Sequence, residues 1–249
     1  MDAVAAPALV PLEQLLHLAD NALVLGQRNA EWCGNGPVLE EDIALANMSL
    51  DLIGQARMLY QHAATVRGDG ATEDSLAYFR DAGDFRNFTL LELPHASAAS
   101  ERDYAVTIVR NFFYSAFMLL QWEALQASSD AQLAGIAGKS LKEVAYHFRH
   151  SRDWLIRLGD GTAESQQRTQ AALNQLMPYT AEFWADATAT LRAGWDALVN
   201  DALNEAGLSR PSAVQAALPQ GKNGQHSKHL TPLLAEMQSL ARAHPRAQW

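Results

Sequence analysis

Apolar side chains recur along this chain every three or four residues, which is the spacing that places them on one face of an α-helix. The long helices predicted from this pattern are Leu12 to about Asn29, Glu40 to about Val66, Asp103 to Ala127, Lys139 to Leu158, Ser165 to about Ala189, Leu191 to Glu205, and a last one after Thr231-Pro232. Shorter ones are predicted from Asp74 to Phe79 and from Asp130 to Gly138, and Pro178 predicts a break. No run of β-branched residues alternates with polar ones, as a strand would require. The sequence therefore predicts an all-α fold.

Two of these helices carry more apolar residues than one buried face needs. The second has two apolar stripes, which we expect to lie side by side in the core: Ile43, Leu50 and Ile53 in one, and Leu45, Met48, Leu52 and Leu59 in the other. Gln55 falls in line with the second stripe, where a buried amide requires a polar partner. The helix from Asp103 to Ala127 is apolar nearly all round, so it is central or also faces a partner. Between these two helices, the segment from Pro94 to Ser100 is expected to be a flexible connection.

Length, charge and cysteine content narrow the class of protein. The chain has 249 residues, enough for a substantial core, and its single cysteine excludes an internal disulfide. A net charge of −9 argues against nucleic-acid binding, which needs a basic surface. Residues 1–11 contain two prolines and no basic start, which predicts a disordered lead and not a signal peptide. No segment is long and apolar enough for a membrane span, so we expect a cytoplasmic protein with one domain over residues 12–249.

Candidate chemistry is concentrated on the predicted helix from Lys139 to Leu158. Glu143, His147 and His150 follow one another at spacings of four and three residues, so they line one edge of its apolar stripe. A short stretch of this helix also matches the second helix, with Asp51 aligned on Glu143 and Gln55 on His147. A carboxylate and two imidazoles beside a core suggest a metal site.

Ferritin-like bundles hold two irons with one glutamate from each of two helices and a Glu-x-x-His pair from each of the other two. If Gln55 and His147 occupy the two histidine positions, the carboxylate positions three residues earlier are Leu52 and Val144, which are both aliphatic. Neither helix supplies a Glu-x-x-His pair, and we expect none in the rest of the chain. We therefore predict no metal ligand and no catalytic residue in this chain, with Leu52, Gln55, Val144 and His147 as the vestigial positions.

Two alternatives for this helix remain open. Glu143, His147 and His150 could together hold one metal ion, although only two of them converge comfortably from one helix. In the structural alternative, His147 hydrogen-bonds a buried carboxylate or amide, for which Gln55 and Asp20 are candidates. His150 then lies at the rim of the core.

Three features elsewhere in the chain are further candidates. Cys33 lies in a glycine loop without a histidine nearby in sequence, which favours a buried or inert thiol over a nucleophile. The segment from Gly221 to His229 is rich in glycine and basic residues, so Lys222 and Lys228 are candidate phosphate contacts, with a solvated loop as the plainer interpretation. Trp249 ends the chain, and we expect this aromatic side chain to dock on a partner.

Several segments together resemble one protein family. They are Leu25-Gly26-Gln27-Arg28, Glu31-Trp32-Cys33-Gly34, Leu45-Ala46-Asn47, Leu50-Asp51-Leu52-Ile53-Gly54-Gln55-Ala56-Arg57, Lys142-Glu143, Tyr146-His147 with Arg149, and Leu234-Ala235-Glu236-Met237-Gln238 with the terminal Trp249. Through them, the chain from about Leu12 to its end resembles the C subunits of bacterial phenylacetyl-CoA monooxygenases, also called 1,2-epoxidases. One departure precedes the last helix, where the family has His-Thr-Glu-His-Leu-Gly and this chain has His226-Ser227-Lys228-His229-Leu230-Thr231.

The resemblance implies a ferritin-like helical bundle with additional C-terminal helices, which has lost its di-iron centre and holds no cofactor of its own. It implies as partner the related catalytic A subunit, which keeps a di-iron centre, and further subunits of the same complex. A reductase subunit then delivers electrons from NADPH, and the complex epoxidises the ring of phenylacetyl-CoA with O2. In such a complex Lys222 and Lys228 become candidate contacts to the phosphates of coenzyme A.

Sequence and resemblance together indicate a structural, non-catalytic subunit in aerobic phenylacetate catabolism, which binds and stabilises the catalytic subunit. Because a large apolar surface rarely stays uncovered, we also expect the chain to self-associate when it is purified alone. Two rival functions remain open at this point. One is an active iron-dependent oxygenase subunit, and the other is a helical bundle that binds a coenzyme A thioester.

Overall fold

The structure is a computed structural model that describes residues 10–185, 187–212 and 219–247. Its α-helices are α1 (Leu12–Ala30), α2 (Leu39–Arg67), α3 (Glu73–Tyr78), α4 (Thr89–Glu92), α5 (Tyr104–Leu125), α6 (Ala131–Gly159), α7 (Ala163–Leu176), α8 (Ala189–Glu205) and α9 (Leu230–Ala243). Short 3-10 stretches occupy Ala82–Asp84, Met177–Trp184 and Gly221–Asn223. The described residues contain no β-strand, so the all-α prediction is confirmed. Within the same ranges, no helix has the length and apolar character that a membrane crossing requires.

Local capping explains why most helix ends lie close to where the sequence predicts them. Asp103, Asp130 and Thr162 accept hydrogen bonds from backbone N–H groups in the first turns of α5, α6 and α7. At the other end of a helix, Gly68 follows α2 with a φ of 70°, a conformation that glycine adopts without strain. These signals are local, and they can be read from the sequence without knowing the tertiary fold.

Two helices predicted as separate are one helix in the structure. The short helix expected from Asp130 to Gly138 continues directly into the helix from Lys139, and together they form α6. A single glycine such as Gly138 costs a helix some stability without ending it. The break predicted at Pro178 is confirmed, because α7 ends at Leu176 and a 3-10 stretch follows.

The long helices α1, α2, α5 and α6 form a ferritin-like bundle. α1 packs along α2, α5 packs along α6, and α2 contacts α6 across the bundle. The C-terminal helices extend it, since α7 and α8 pack on α5 and α6 while α9 lies against α3. All these helices contribute buried apolar residues to one large core, while Leu45 and Met48 of α2 form a second, small cluster with Trp32.

α5 is the central helix of this bundle. Fifteen of its 22 residues are buried, and α6, α7 and α8 all pack against it. Trp195 of α8 is itself buried and donates a hydrogen bond from Nε1 to the backbone oxygen of Phe113, at 3.0 Å. Of the two alternatives predicted for this helix, the central position is the one that the structure shows, because the chain's own helices α6, α7 and α8 pack on its apolar surface.

The connection between α4 and α5 is packed into the molecule at His95, where a flexible segment was predicted. The imidazole is 3% exposed, and its Nε2 donates to the backbone oxygen of Arg28 at 2.8 Å. Its Nδ1 accepts from Arg110 Nη2 at 2.7 Å. Burial, followed by the positive charge of Arg110, lowers the pKa of His95 well below its usual value. The prediction of a flexible connection is wrong at this residue.

Candidate functional site

The vestigial positions predicted on α2 and α6 are all buried between these two helices. Leu52 and Val144 are 1% and 2% exposed and belong to the hydrophobic core, while Gln55 and His147 are 2% and 3% exposed. Gln55 Nε2 donates to Glu143 Oε2 at 2.9 Å. The amide predicted to need a polar partner therefore has one, and it lies on the opposite helix.

His147 is bonded to a carboxylate, but to neither of the partners that the sequence suggested. Its Nε2 donates to Asp51 Oδ2 at 3.1 Å. Gln55, the first candidate, is engaged with Glu143. Asp20, the second, lies in a separate buried network, where it accepts from the Tyr60 hydroxyl at 2.5 Å and pairs with Arg80. His147 therefore forms a hydrogen bond to a carboxylate, as predicted, but the partner is neither of the two residues that were predicted.

His150 also reaches across to α2, at a different level of the bundle. Its Nε2 donates to Glu41 Oε2 at 2.8 Å, and the Tyr104 hydroxyl donates to the same oxygen at 2.7 Å. Burial, and then the Glu41 carboxylate, raises the pKa of Tyr104 far above its usual value, which keeps the phenol protonated as a donor. The His150 side chain is 9% exposed and the residue as a whole is half-buried, which agrees with its predicted position at the rim of the core.

Glu143, His147 and His150 therefore point to three different partners on α2 instead of to one ion. Their partners are Gln55, Asp51 and Glu41 respectively. Over residues 10–185, 187–212 and 219–247, no group of three or more His, Cys, Asp or Glu side chains is placed to hold a metal. The di-iron ligand set does not fit these positions, because Leu52 and Val144 have no donor atom.

One Glu-x-x-His pair does occur in the chain, outside α2 and α6, and the prediction from sequence missed it. It consists of Glu92 at the end of α4 and His95 in the following connection. Glu92 accepts from His226 Nδ1 at 2.9 Å and from the backbone N of Ser227 at 2.5 Å. His95 is engaged with Arg28 and Arg110. Glu92 is the last residue of α4, and His95 follows after Pro94 outside the helix, so the spacing does not direct both side chains to one point.

The most exposed apolar surface is on α2, on the side that faces away from the α2–α6 contact. Four aliphatic side chains make up this outer face of α2: Leu39 (71% exposed), Ile43 (52%), Leu50 (66%) and Ile53 (40%). At 100° per residue they fall within about 80° of one another. They form one stripe about 21 Å long, from a rise of 1.5 Å per residue.

The prediction that Ile43, Leu50 and Ile53 lie in the core is therefore wrong. The second stripe, from Leu45 to Leu59, is buried as predicted. The same rotation of 100° per residue places the two stripes on opposite sides of the helix, so a single core could not bury both. The helical wheel could therefore have predicted that one of the two stripes faces away from the core. It does not say which of them does.

The glycine-rich tail segment is anchored to the bundle at both ends of the short helix α4. His226 bonds Glu92, and Glu182 accepts from the backbone N–H groups of Thr89 and Lys222, both at 2.8 Å. Burial lowers the pKa of His226, but the Glu92 carboxylate outweighs it and the net shift is upward. A fully solvated loop is therefore a wrong prediction for this segment.

The three predicted contact residues do not form one site. Lys222 is half-buried and lines a cavity, whereas Lys228 lies on the exposed surface. Trp249 lies outside the described residues. A role for the two lysines in binding the phosphates of coenzyme A remains a prediction. Cys33 is exposed, so a buried thiol is ruled out there.

Two comparisons with known proteins agree with one another. A family of proteins described as "Phenylacetic acid catabolic protein" matches residues 5–249. The C subunit of the 1,2-phenylacetyl-CoA epoxidase of Escherichia coli (strain K12) is 46% identical over an alignment 248 residues long, which covers 94% of this chain and 97% of that protein. Both matches run through the bundle and the C-terminal helices alike.

Proposed function

We propose, because this chain belongs to the phenylacetic acid catabolic protein family, that it is the structural, non-catalytic subunit of a phenylacetyl-CoA epoxidase complex. In that role it binds and stabilises a catalytic subunit of the same complex, which carries the di-iron centre. The E. coli relative is named as a subunit of such an epoxidase, and its similarity to this chain covers nearly the full length of both. Because the similarity covers both chains so fully, it supports the proposal that this chain, like the E. coli relative, is a subunit of such a complex.

The absence of a catalytic role is supported by what the α2 and α6 side chains do. Gln55 and His147 are both buried, and each bonds a carboxylate of the opposite helix. Leu52 and Val144 pack in the core where carboxylate ligands would be required. Leu52 and Val144 offer no ligand atom, and Gln55 and His147 each use a nitrogen to bond the opposite helix, which supports a role of these four positions in holding α2 against α6.

The observation that carries the proposed partner contact is the outer face of α2. An aliphatic stripe of this length stays in contact with water unless a second molecule covers it, and large uncovered apolar surfaces mark sites of association. Each fully buried Leu or Ile side chain contributes about 1.5–3 kcal/mol relative to an exposed one. We propose that a helical surface of the catalytic subunit packs on this face.

Co-expression with the catalytic subunit of the same organism tests the proposal. The two chains are expected to elute together in size-exclusion chromatography, and epoxidation of phenylacetyl-CoA with the reductase and NADPH is expected to require both. Separate elution, together with full activity of the catalytic subunit alone, would contradict a structural role.

A further inference from the structure

The exposed side of α6 carries a row of basic side chains with one aromatic ring among them. Five exposed residues make up this cationic face of α6: Lys139, Lys142, Tyr146, Arg149 and Arg157. At 100° per residue they fall within about 80° of one another, and at 1.5 Å per residue they extend over about 27 Å. Asp153 is the one acidic residue of α6 on the same stripe. Four cations against one carboxylate give the stripe a net positive charge, in a chain whose net charge is −9.

The carboxylates between α2 and α6 are directed into the contact of these two helices and not toward the cationic face. Glu143, Asp51 and Glu41 each accept a hydrogen bond from a donor on the opposite helix. Glu143 follows Lys142 in sequence, but successive residues of a helix point about 100° apart. These acids therefore leave the charge of Lys142 and Arg149 uncompensated.

Several arginines elsewhere in the chain pair with carboxylates, whereas the cations of this face do not. On the neighbouring side of α6, Arg152 forms ion pairs with Asp201 and Glu205 of α8, at 2.8 and 2.6 Å. Over residues 10–185, 187–212 and 219–247, none of the four cations of the face forms an ion pair, with Asp153 or with any other carboxylate. The charge of the face is therefore available to carboxylates of another molecule.

Tyr146 lies in the middle of the cationic face and gives it an apolar contact. The residue is 39% exposed, and the guanidinium carbon of Arg149 lies 5.8 Å from the centroid of its ring. This cation–π contact orders Arg149 before a partner arrives, which lowers the entropy lost on binding. Tyrosine and arginine are also among the residues that carry most of the binding energy at protein interfaces. The composition of the face therefore favours a protein partner over a small counter-ion.

We propose that the cationic face of α6 binds an acidic helix of a partner protein. Lys142 and Arg149 are seven residues apart, which is about 10.5 Å along α6. Glu or Asp residues repeated every seven positions on a partner helix face both cations, and an apolar residue between them packs on Tyr146. This contact goes beyond the proposed function and does not depend on it, because it shares no residue with the outer face of α2.

Fluorescence anisotropy of the full chain with a synthetic helical peptide tests this proposal. The labelled peptide carries Glu at every seventh position and Leu four positions after each Glu, on an alanine background. Saturable binding is expected with a Kd below about 100 μM, and added salt is expected to weaken it. The same peptide with Gln for each Glu is expected to bind about tenfold more weakly, because its ion pairs are lost. No saturable binding of the Glu peptide, or equal affinity for the two peptides, overturns the proposal.

Charge-reversed variants locate the site within the chain. The double variant Lys142→Glu/Arg149→Glu is expected to weaken binding of the Glu peptide by more than about tenfold, and Tyr146→Ala to weaken it by a smaller factor. Lys228→Glu/Arg246→Glu changes the net charge by the same amount at two exposed positions, and it should leave the affinity unchanged. Equal weakening by the two double variants refutes the site.

Thermal unfolding shows whether each variant is folded. If Lys142→Glu/Arg149→Glu does not fold, the single variant Lys142→Gln decides, since it removes one cation at an exposed position without adding a charge. Unchanged affinity of the Glu peptide for that variant refutes the site.

The same variants separate the acidic helix from three other occupants of a cationic surface. The parent chain is expected to bind neither oligothymidylate nor phosphatidylglycerol vesicles as tightly as the Glu peptide, since its net charge is negative. Light scattering is expected to show the same self-association for the parent and for Lys142→Glu/Arg149→Glu. Tighter binding of either polyanion, or loss of self-association in the double variant, assigns the face to nucleic acid, to a lipid surface or to a second copy of this chain, and overturns the proposal.

Discussion

His147 donates a hydrogen bond to Asp51 across the contact between α6 and α2, at 3.1 Å, and Gln55 of α2 donates to Glu143 of α6 at 2.9 Å. The two bonds are exchanged crosswise, because each helix carries an acidic residue followed four positions later by a donor. This is the short repeat that aligns Asp51 with Glu143 and Gln55 with His147. The repeated residues therefore bond the two helices to each other, and the vestigial positions lie in the packed contact between α2 and α6.

Replacing His147 with alanine tests the stabilising part of this arrangement. The change removes a buried donor and leaves Gln55, Leu52 and Val144 around a small cavity. We expect the free energy of unfolding to fall by about 1–3 kcal/mol. Chemical denaturation measures this loss. Glu123→Ala at the exposed end of α5 is the control and should change stability by less than about 0.5 kcal/mol. A His147→Ala variant as stable as the parent would contradict the pairing.

The pH dependence of stability tests the contact between His226 and Glu92. The pKa of His226 is raised in the folded state. A base with a raised folded pKa contributes its full stabilisation below its unfolded pKa, about 6.5, and loses it as the pH rises through the folded pKa. We therefore expect the stability difference between the parent and His226→Gln to be largest near pH 6 and to shrink above it.

Unfolding curves of both proteins at a series of pH values measure that difference. Glu182 and Glu92 are the neighbouring acids that act on the imidazole, and both are present in the variant, so their own titration is common to the two proteins. If the stability difference between the parent and His226→Gln grew with rising pH, the direction of the pKa shift inferred for His226 would be wrong.

Much of the fold follows from local signals, whereas the site depends on relations that are distant in sequence. Helix ends such as Gly68 and Asp130 are determined by residues next to them. The burial of Leu52 and Val144 follows from their stripes. The partner of His147 lies 96 positions away on another helix, and no spacing on one helix identifies it. Likewise, both stripes of α2 consist of apolar residues, so their composition does not predict which one faces water.

Metal analysis tests the absence of a di-iron centre in this chain. We expect far less than one iron per chain after expression in iron-rich medium, because the carboxylate positions are Leu52 and Val144. In the complex with the catalytic subunit, His147→Ala is expected to leave the iron content unchanged. About two irons per chain of the isolated protein, lost on His147→Ala, would make it an oxygenase subunit instead.

The isolated chain is expected to self-associate at micromolar concentration, for a reason that differs from the one the sequence suggested. α5 is covered, whereas the outer face of α2 exposes four aliphatic side chains to water. Light scattering measures the mass. Leu50→Asp should shift the population toward the monomer, since it places a charge in the middle of the stripe. If the parent chain were monomeric at all micromolar concentrations, the prediction that the outer face of α2 drives self-association would be contradicted.

The central claim is that the outer face of α2 docks the catalytic subunit, and a pair of matched variants tests it most directly. Leu50→Asp changes an outer-face residue, and Leu240→Asp changes an equally apolar, 57% exposed residue of α9. Each variant is co-expressed with the catalytic subunit, and co-elution is measured by size-exclusion chromatography at matched concentrations. We predict that Leu50→Asp abolishes co-elution while Leu240→Asp retains it, with both variants folded. Co-elution of the Leu50→Asp variant at the level of the parent would contradict the claim.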